Sequence, residues 1–196
     1  METHIEFIRQ YMRSLAVPWT EDGLEELVYA FETKTLAAGD FFLKEGQVCR
    51  SIALVHKGCL RLYTIDDGEE KSLFFFPERY FCADSRSYLS GKPARCFIDA
   101  LEECELLTLS GEKVRELGQK YRDVETCNRA LLAKLLVSAE NRVMLHVLSN
   151  PEARYKRLLE DFGSLVNRVP QKYLASFLGI TPVSLSRIRA RMAQAL

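Results

Sequence analysis

The sequence predicts an α+β fold in three successive parts: a jelly-roll-like β-roll, one long helix, and an all-α C-terminal module built on a helix-turn-helix. Three observations carry this. Between Lys34 and Leu109, short β-rich runs alternate with six turn signals, "AAGD", "KEGQ", "HKGC", "DDGEE", "FPERY" and "LSGKP", the texture of a barrel or sandwich. From Asp123 to Ser149 no Gly or Pro interrupts a helical pattern. The segment 151–196 then holds eight Lys/Arg against three Asp/Glu on a chain whose net charge is zero. A basic end on an acidic body attracts phosphate locally without making the whole surface adhesive. The domain boundaries follow as 1–110, 111–150 and 151–196.

Ahead of the roll, Ile5, Ile8, Met12 and Leu15 recur at helical spacing. "VPW" breaks that run. Thr20 caps a second helix, with Glu21 and Asp22 in its first turn and Leu24, Leu27, Val28 and Phe31 on its apolar face. In the roll, "CLRLYTIDDGEEKSLFFF" reads as a hairpin turning at Asp67-Gly68. Leu60 and Leu62 alternate there with Arg61 and Tyr63, which assigns the leucines to one face. The unbroken Phe74-Phe75-Phe76 predicts a strand covered on both faces.

After the roll, "SGEKVREL" is a short helix. In the long helix, Val124, Leu131, Leu135, Ser138, Arg142 and Leu145 form a stripe like the seam of a two-stranded coiled coil. Leu132, Leu136, Val143 and Val147 make the opposite side apolar too, so one side packs on its own domain and the other on a second copy. The alternative is a single buried helix in a monomer. "SNPEARY" then stops and restarts the chain, and a short helix from Arg154 to Phe162 ends at Gly163.

The last segment is the most informative. Pro170 suits the first position of a helix, and Leu174, Phe177 and Leu178 give it an apolar face. Ala175 permits a close helix approach, and Gly179 ends the helix in a left-handed conformation. Thr181 caps a second helix, started by Pro182, whose buried stripe is Leu185, Ile188 and Met192. Val183, Ser184, Arg187 and Arg191 lie on its opposite face. Two short helices around a Gly-containing turn are a helix-turn-helix, whose second helix enters the major groove of DNA. Arg187, about one turn in, is placed to read guanine with its fork. Lys172, Arg189 and Arg191 are expected to contact phosphate.

Other classes find less support. No apolar run approaches the ~20 residues that span a bilayer, and the N-terminus has no secretory pattern, so a cytoplasmic protein without a membrane partner is expected. The six cysteines make no C-x-x-C pair and are expected to be reduced, buried thiols. A cupin-like enzyme needs a His-rich metal centre, and the only histidines are His4, His56 and His146. No nucleophile–base pair stands out, so no enzyme, metal or cofactor is expected.

The stretches "AAGDFFLKEGQ" with Gly39 and Gly46, "VHKGCLRLY" with Gly58, and "YLASFLGITPVSLSRIR" together resemble the Crp/Fnr superfamily of bacterial transcription regulators over nearly the whole chain. The resemblance implies a cyclic nucleotide-binding-like sensor roll, a dimerisation helix and a DNA-binding end. Its implied partners are double-stranded DNA with a pseudo-palindromic operator, a second copy of the chain, a small-molecule effector and the transcription machinery. Cyclic-nucleotide binders of this family carry a Gly-Glu pair, then an Arg-Ser or Arg-Thr pair. Here those positions are Ala83-Asp84 and Ala94-Arg95, so the motif is degenerate and the phosphate-binding Arg is replaced by Ala94. The alternative is a cyclic-nucleotide-responsive regulator with an altered pocket. Val183 stands where relatives often place Glu, which implies a different operator. The absence of any Cys before Cys49 departs from the family's iron–sulfur oxygen sensors.

Overall fold

The computed structural model describes residues 2–163 and 165–194. They form two compact units. One comprises residues 1–62 and 75–135, the other residues 63–74 and 136–196.

In the first unit, helices α1 (Glu2–Ser14) and α2 (Glu21–Tyr29) pack through Ile8, Met12, Leu15, Leu24, Leu27 and Val28. Thr20 caps α2 by accepting from the Gly23 amide at 3.1 Å. Its own amide and hydroxyl donate to Asp123 Oδ2 at 2.6 and 2.7 Å. Burial alone raises the Asp123 carboxyl, but the hydrogen bonds from Thr20 and Val124 outweigh it and hold the group below the usual carboxylate range.

The roll has eight strands: β1 (Glu32–Leu36), β2 (Phe41–Leu43), β3 (Ser51–Lys57), β4 (Leu60–Asp66), β5 (Glu69–Phe76), β6 (Phe81–Cys82), β7 (Phe97–Ala100) and β8 (Cys104–Ser110). They make two four-stranded sheets, ordered β1-β8-β3-β6 and β2-β7-β4-β5. Five of the six turn signals join strands; the sixth, "LSGKP", instead ends helix α3 (Ser85–Ser90), which the β-rich texture concealed. Phe75 and Phe76 are both buried, so that strand is covered on its two faces. In β4, Leu60, Arg61 and Tyr63 are all buried, Arg61 at 1% exposure, and Leu62 is half-buried, so the start of this strand is covered on both faces. The turn from β3 into β4 depends on Gly58, at φ +93°, where a Cβ would lie 2.6 Å from the Glu103 carbonyl oxygen.

Helix α4 (Gly111–Lys120) leads into α5 (Arg122–Leu148). Of α5 only Asp123, Val124 and Cys127 are buried. Val124 therefore belongs to the core of the first unit rather than to an open seam. In the second unit follow α6 (Pro151–Phe162), α7 (Leu165–Arg168), α8 (Gln171–Phe177) and α9 (Pro182–Gln194). Helix α6 starts three residues earlier than expected, because Asn150 caps it by accepting from the Ala153 amide at 2.9 Å with Pro151 at the first position. Pro170 is the cap of α8 rather than its first helical residue. All six cysteines are free thiols and five are buried. No helix among the described residues is long and apolar enough to cross a membrane.

Candidate nucleic-acid interface

Helices α8 and α9 are joined by a tight turn. Leu174, Ala175, Phe177 and Leu178 are buried, and Gly179 takes φ +68° just beyond the helix end. The Gly179 amide donates to the Ser176 carbonyl and the Ile180 amide to the Ala175 carbonyl, both at 3.0 Å. This reciprocal pair satisfies carbonyls that the helix end would otherwise orphan. Two residues on, the Thr181 hydroxyl accepts from the Ser184 amide at 3.2 Å and caps α9. Gln171 Nε2 donates to the Pro182 carbonyl at 2.8 Å, tying the starts of the two helices together.

Leu185 and Ile188 bury one side of α9. The opposite side leaves Val183 61% exposed, with Ser186, Arg187 and Arg191 also exposed. Arg187 forms no ion pair among the described residues, and no acidic residue occupies α9. Its neighbours are held. Arg189 Nε donates to the buried Tyr155 hydroxyl at 3.1 Å, its guanidinium 5.6 Å from the centre of that ring. Arg191 pairs with Glu152 at 2.8 Å. Lys172 is exposed on α8, its ammonium 4.7 Å from the Tyr173 ring centre.

The hairpin tip, residues 63–74, is part of this same unit. The Ser72 amide donates to Ser176 Oγ at 2.9 Å, and that hydroxyl donates to the Glu70 carbonyl at 3.0 Å. The Arg142 guanidinium lies 4.1 Å from the Phe177 ring centre and 5.8 Å from that of Phe74. Burial there pushes Arg142 down to about 10, and it stays charged at neutral pH. Arg142 is thus engaged with aromatic rings on its own chain.

Along α5, Leu131 and Leu145 are half-buried, and Leu135 and Ser138 are exposed. The large apolar side chains left most open are Leu136, Val143, Val147 and Leu148, Val147 at 73%. These include three of the four residues read as the opposite side of the helix.

In the roll, Asp84 is buried and caps α3, Oδ1 accepting from the Ser87 amide at 3.0 Å. The Cys96 thiol donates to its other oxygen at 3.4 Å, and burial together with Asp84 pushes that thiol up to about 12. Ala83 is half-buried beside it. Ala94 is buried, its amide donating to the Gln47 carbonyl at 2.7 Å and its carbonyl accepting from Gly46 at 3.0 Å. Arg95, next along, is exposed. A surface cleft of about 430 Å³, lined by Lys34, Phe42, Gln47 and Arg50 among others, includes none of these four residues.

Residues 33–121 match the family of the cyclic nucleotide-binding domain. No curated protein matches the chain. Solved structures match along most of it. FixK2 from Bradyrhizobium japonicum is 15% identical over 84% of this chain and 85% of its own, with a TM-score of 0.75. The c-di-GMP-responsive global regulator CLP from Xanthomonas campestris is 16% identical over 90% and 93%, with a TM-score of 0.69. The catabolite activator protein of Thermus thermophilus is 22% identical over 91% and 85%, with a TM-score of 0.56. The chain has the Crp/Fnr fold.

Within the Crp/Fnr fold, the sequence reading missed one buried ionic feature. Arg61 Nε and Nη2 donate to the two oxygens of Asp99 at 3.0 and 2.7 Å, a bidentate pair between β4 and β7. The four residues named for the effector site bring no such buried cation: Ala94 has none to offer, and Asp84 spends its oxygens on Ser87 and Cys96. Alternation alone carries no signal for the Arg61–Asp99 pair, since Leu60 on one face of β4 and Arg61 and Tyr63 on the other are all buried.

Proposed function

We propose that this chain is a homodimeric, sequence-specific DNA-binding transcription regulator and not an enzyme. The observation that carries the reading is the α8–α9 pair. It has a capped and glycine-closed turn, a buried apolar side, and an acid-free exposed side with Val183 and Arg187 near its start. Arg187 reads a base edge, and Val183 meets a thymine methyl rather than accepting from cytosine. Thr181, Ser184 and Lys172 contact the phosphate backbone. Arg191 exchanges Glu152 for a phosphate on binding, whereas Arg189 holds α9 on Tyr155 and positions it.

Two copies join along α5 through Leu135, Leu136, Val143 and Val147, apolar side chains for which one chain supplies no cover. This shifts the seam from Val124 and Arg142, both engaged within the chain. Residues 1–110 act as a sensor, 111–150 as the dimer helix and 151–196 as the DNA-binding part. The sensor's effector is not a cyclic nucleotide held in the usual way. A buried phosphate needs a cation, Ala94 provides none, and the fork of Arg61 is filled by Asp99.

Selection of bound sequences from random DNA, with and without cyclic AMP, tests this reading. The expected result is one pseudo-palindromic site, with half-site centres about 34 Å apart, enriched equally in both arms. Binding without enrichment of any sequence overturns the specific regulator, and enrichment only with cyclic AMP overturns the reading of the roll.

A further inference from the structure

The fold gathers three side chains that lie far apart in the sequence: His4 in the first turns of α1, His56 near the end of β3, and Glu105 near the start of β8. One potential ligand atom from each lies within 4.8 Å of the others. The gathering has a local cause. Strands β3 and β8 pair antiparallel, Val55 facing Leu106 and Lys57 facing Glu105, so His56 is the extra residue where the register slips. A bulge of this kind re-aims a side chain. The His56 ring meets His4 and Phe7 edge-on, at 4.7 and 4.6 Å between centres.

An ordinary ion pair does not account for the cluster. His4 Nε2 lies 3.4 Å from Glu105 Oε2, which gives those two groups each other. It leaves His56 with nothing: its Nδ1 is buried and has no hydrogen-bond partner among the described residues. Buried polar atoms in a native fold are normally partnered, so this nitrogen is open to an ion. His4 Nδ1 lies 3.5 Å from the Thr33 hydroxyl, which orients the ring and leaves Nε2 toward Glu105. Lys57 faces the other carboxylate oxygen, Oε1, at 3.9 Å, and so leaves Oε2 to the cluster.

We propose that His4, His56 and Glu105 bind one divalent transition-metal ion, with Zn²⁺ the best match, and thereby clamp the start of α1 to the β3–β8 pair. Two imidazole nitrogens and one carboxylate oxygen, with a water in the fourth position, are a Zn²⁺ donor set. They are a poor set for Mg²⁺ or Ca²⁺, which take oxygen ligands. Tetrahedral coordination at 2.0–2.2 Å sets donors about 3.3 Å apart, a spacing the His4–Glu105 pair already has at 3.4 Å. His56 supplies the third donor, with a ligand atom within 4.8 Å of the other two. No motif spacing marks the site, because His4, His56 and Glu105 lie far apart along the chain. The three residues belong to the first unit, and the proposal does not rest on DNA binding.

The test uses untagged full-length protein stripped with a chelator and titrated with Co²⁺, then Zn²⁺. The expected result is a single equivalent bound per chain, a visible Co²⁺ spectrum of nitrogen and oxygen ligation, displacement by Zn²⁺, and a higher melting temperature with Zn²⁺. Affinity should fall by about a hundredfold or more in Glu105→Gln and in His56→Phe, which keeps the aromatic packing on Phe7, and stay unchanged in His146→Ala. Absence of saturable binding overturns the proposal. So does binding that survives His56→Phe, or a Co²⁺ spectrum with thiolate charge transfer, which would assign the metal to the cysteines.

Discussion

Asp123 Oδ2 accepts both the amide and the hydroxyl of Thr20, at 2.6 and 2.7 Å, so one carboxylate at the start of α5 fixes the start of α2. The carboxyl is held below its usual range in the folded chain. Its stabilisation is therefore fully present above the unfolded value of ~3.9 and lost as pH falls through the lower folded value. Asp123→Asn should cost about 1–3 kcal/mol at pH 7. Urea titrations across pH should show that cost hold steady through mildly acidic conditions and shrink below pH ~4. A difference that grew on acidification would contradict the carboxylate's role.

Arg187 and Arg191 should separate in a binding titration. Arg187→Ala should cost about 1–3 kcal/mol on the selected site and relax preference at one base pair per half-site. Arg191→Ala should weaken all sequences alike and reduce the salt slope by about 1. Uniform loss for Arg187→Ala, with base preferences intact, would show that another residue reads the base.

The open side of α5 should hold two chains together. Leu136→Asp with Val143→Asp places charge where the chain leaves two large apolar side chains exposed. Sedimentation should then report a monomer with an unchanged far-ultraviolet spectrum, since neither residue is in the core of its own chain. An intact dimer would move the seam to the Leu131 and Leu145 side.

The Arg61–Asp99 pair should be costly to break. Asp99→Ala leaves a buried guanidinium without its carboxylate, and the loss should be about 3–5 kcal/mol by denaturant unfolding. Replacing both residues with apolar ones of similar volume should cost much less. A single variant as stable as the parent would mean that the buried cation has another sufficient partner.

The helix-turn-helix was legible because its determinants are local: Gly179 must close the turn, Thr181 must cap, and Leu185 and Ile188 must share a side. Each depends on neighbours within about one turn of helix. Alternation in β4 was equally visible, but Leu60 and Arg61 are both buried on opposite faces, and the burial of Arg61 depends on Asp99 of another strand. Asp84 stands at the Glu position of the family's first motif pair, yet the amide three residues on takes one of its oxygens. The three arginines of α9 are chemically identical in the sequence. Only the positions of Tyr155 and Glu152 distinguish the two that are held from Arg187.

The two hydrogen bonds of Ser176 have a further consequence. Strand β5 ends its sheet, so its outer amides and carbonyls face no strand among the described residues. At Glu70 and Ser72 those groups are taken by a side chain of α8. An open strand edge is a template for pairing with another molecule, and a single hydroxyl from a helix blunts it here. Shortening the chain to isolate the roll would uncover that edge. Such a fragment should self-associate through strand pairing at residues 70–72, and its apparent oligomeric state would then report on the cut and not on the protein.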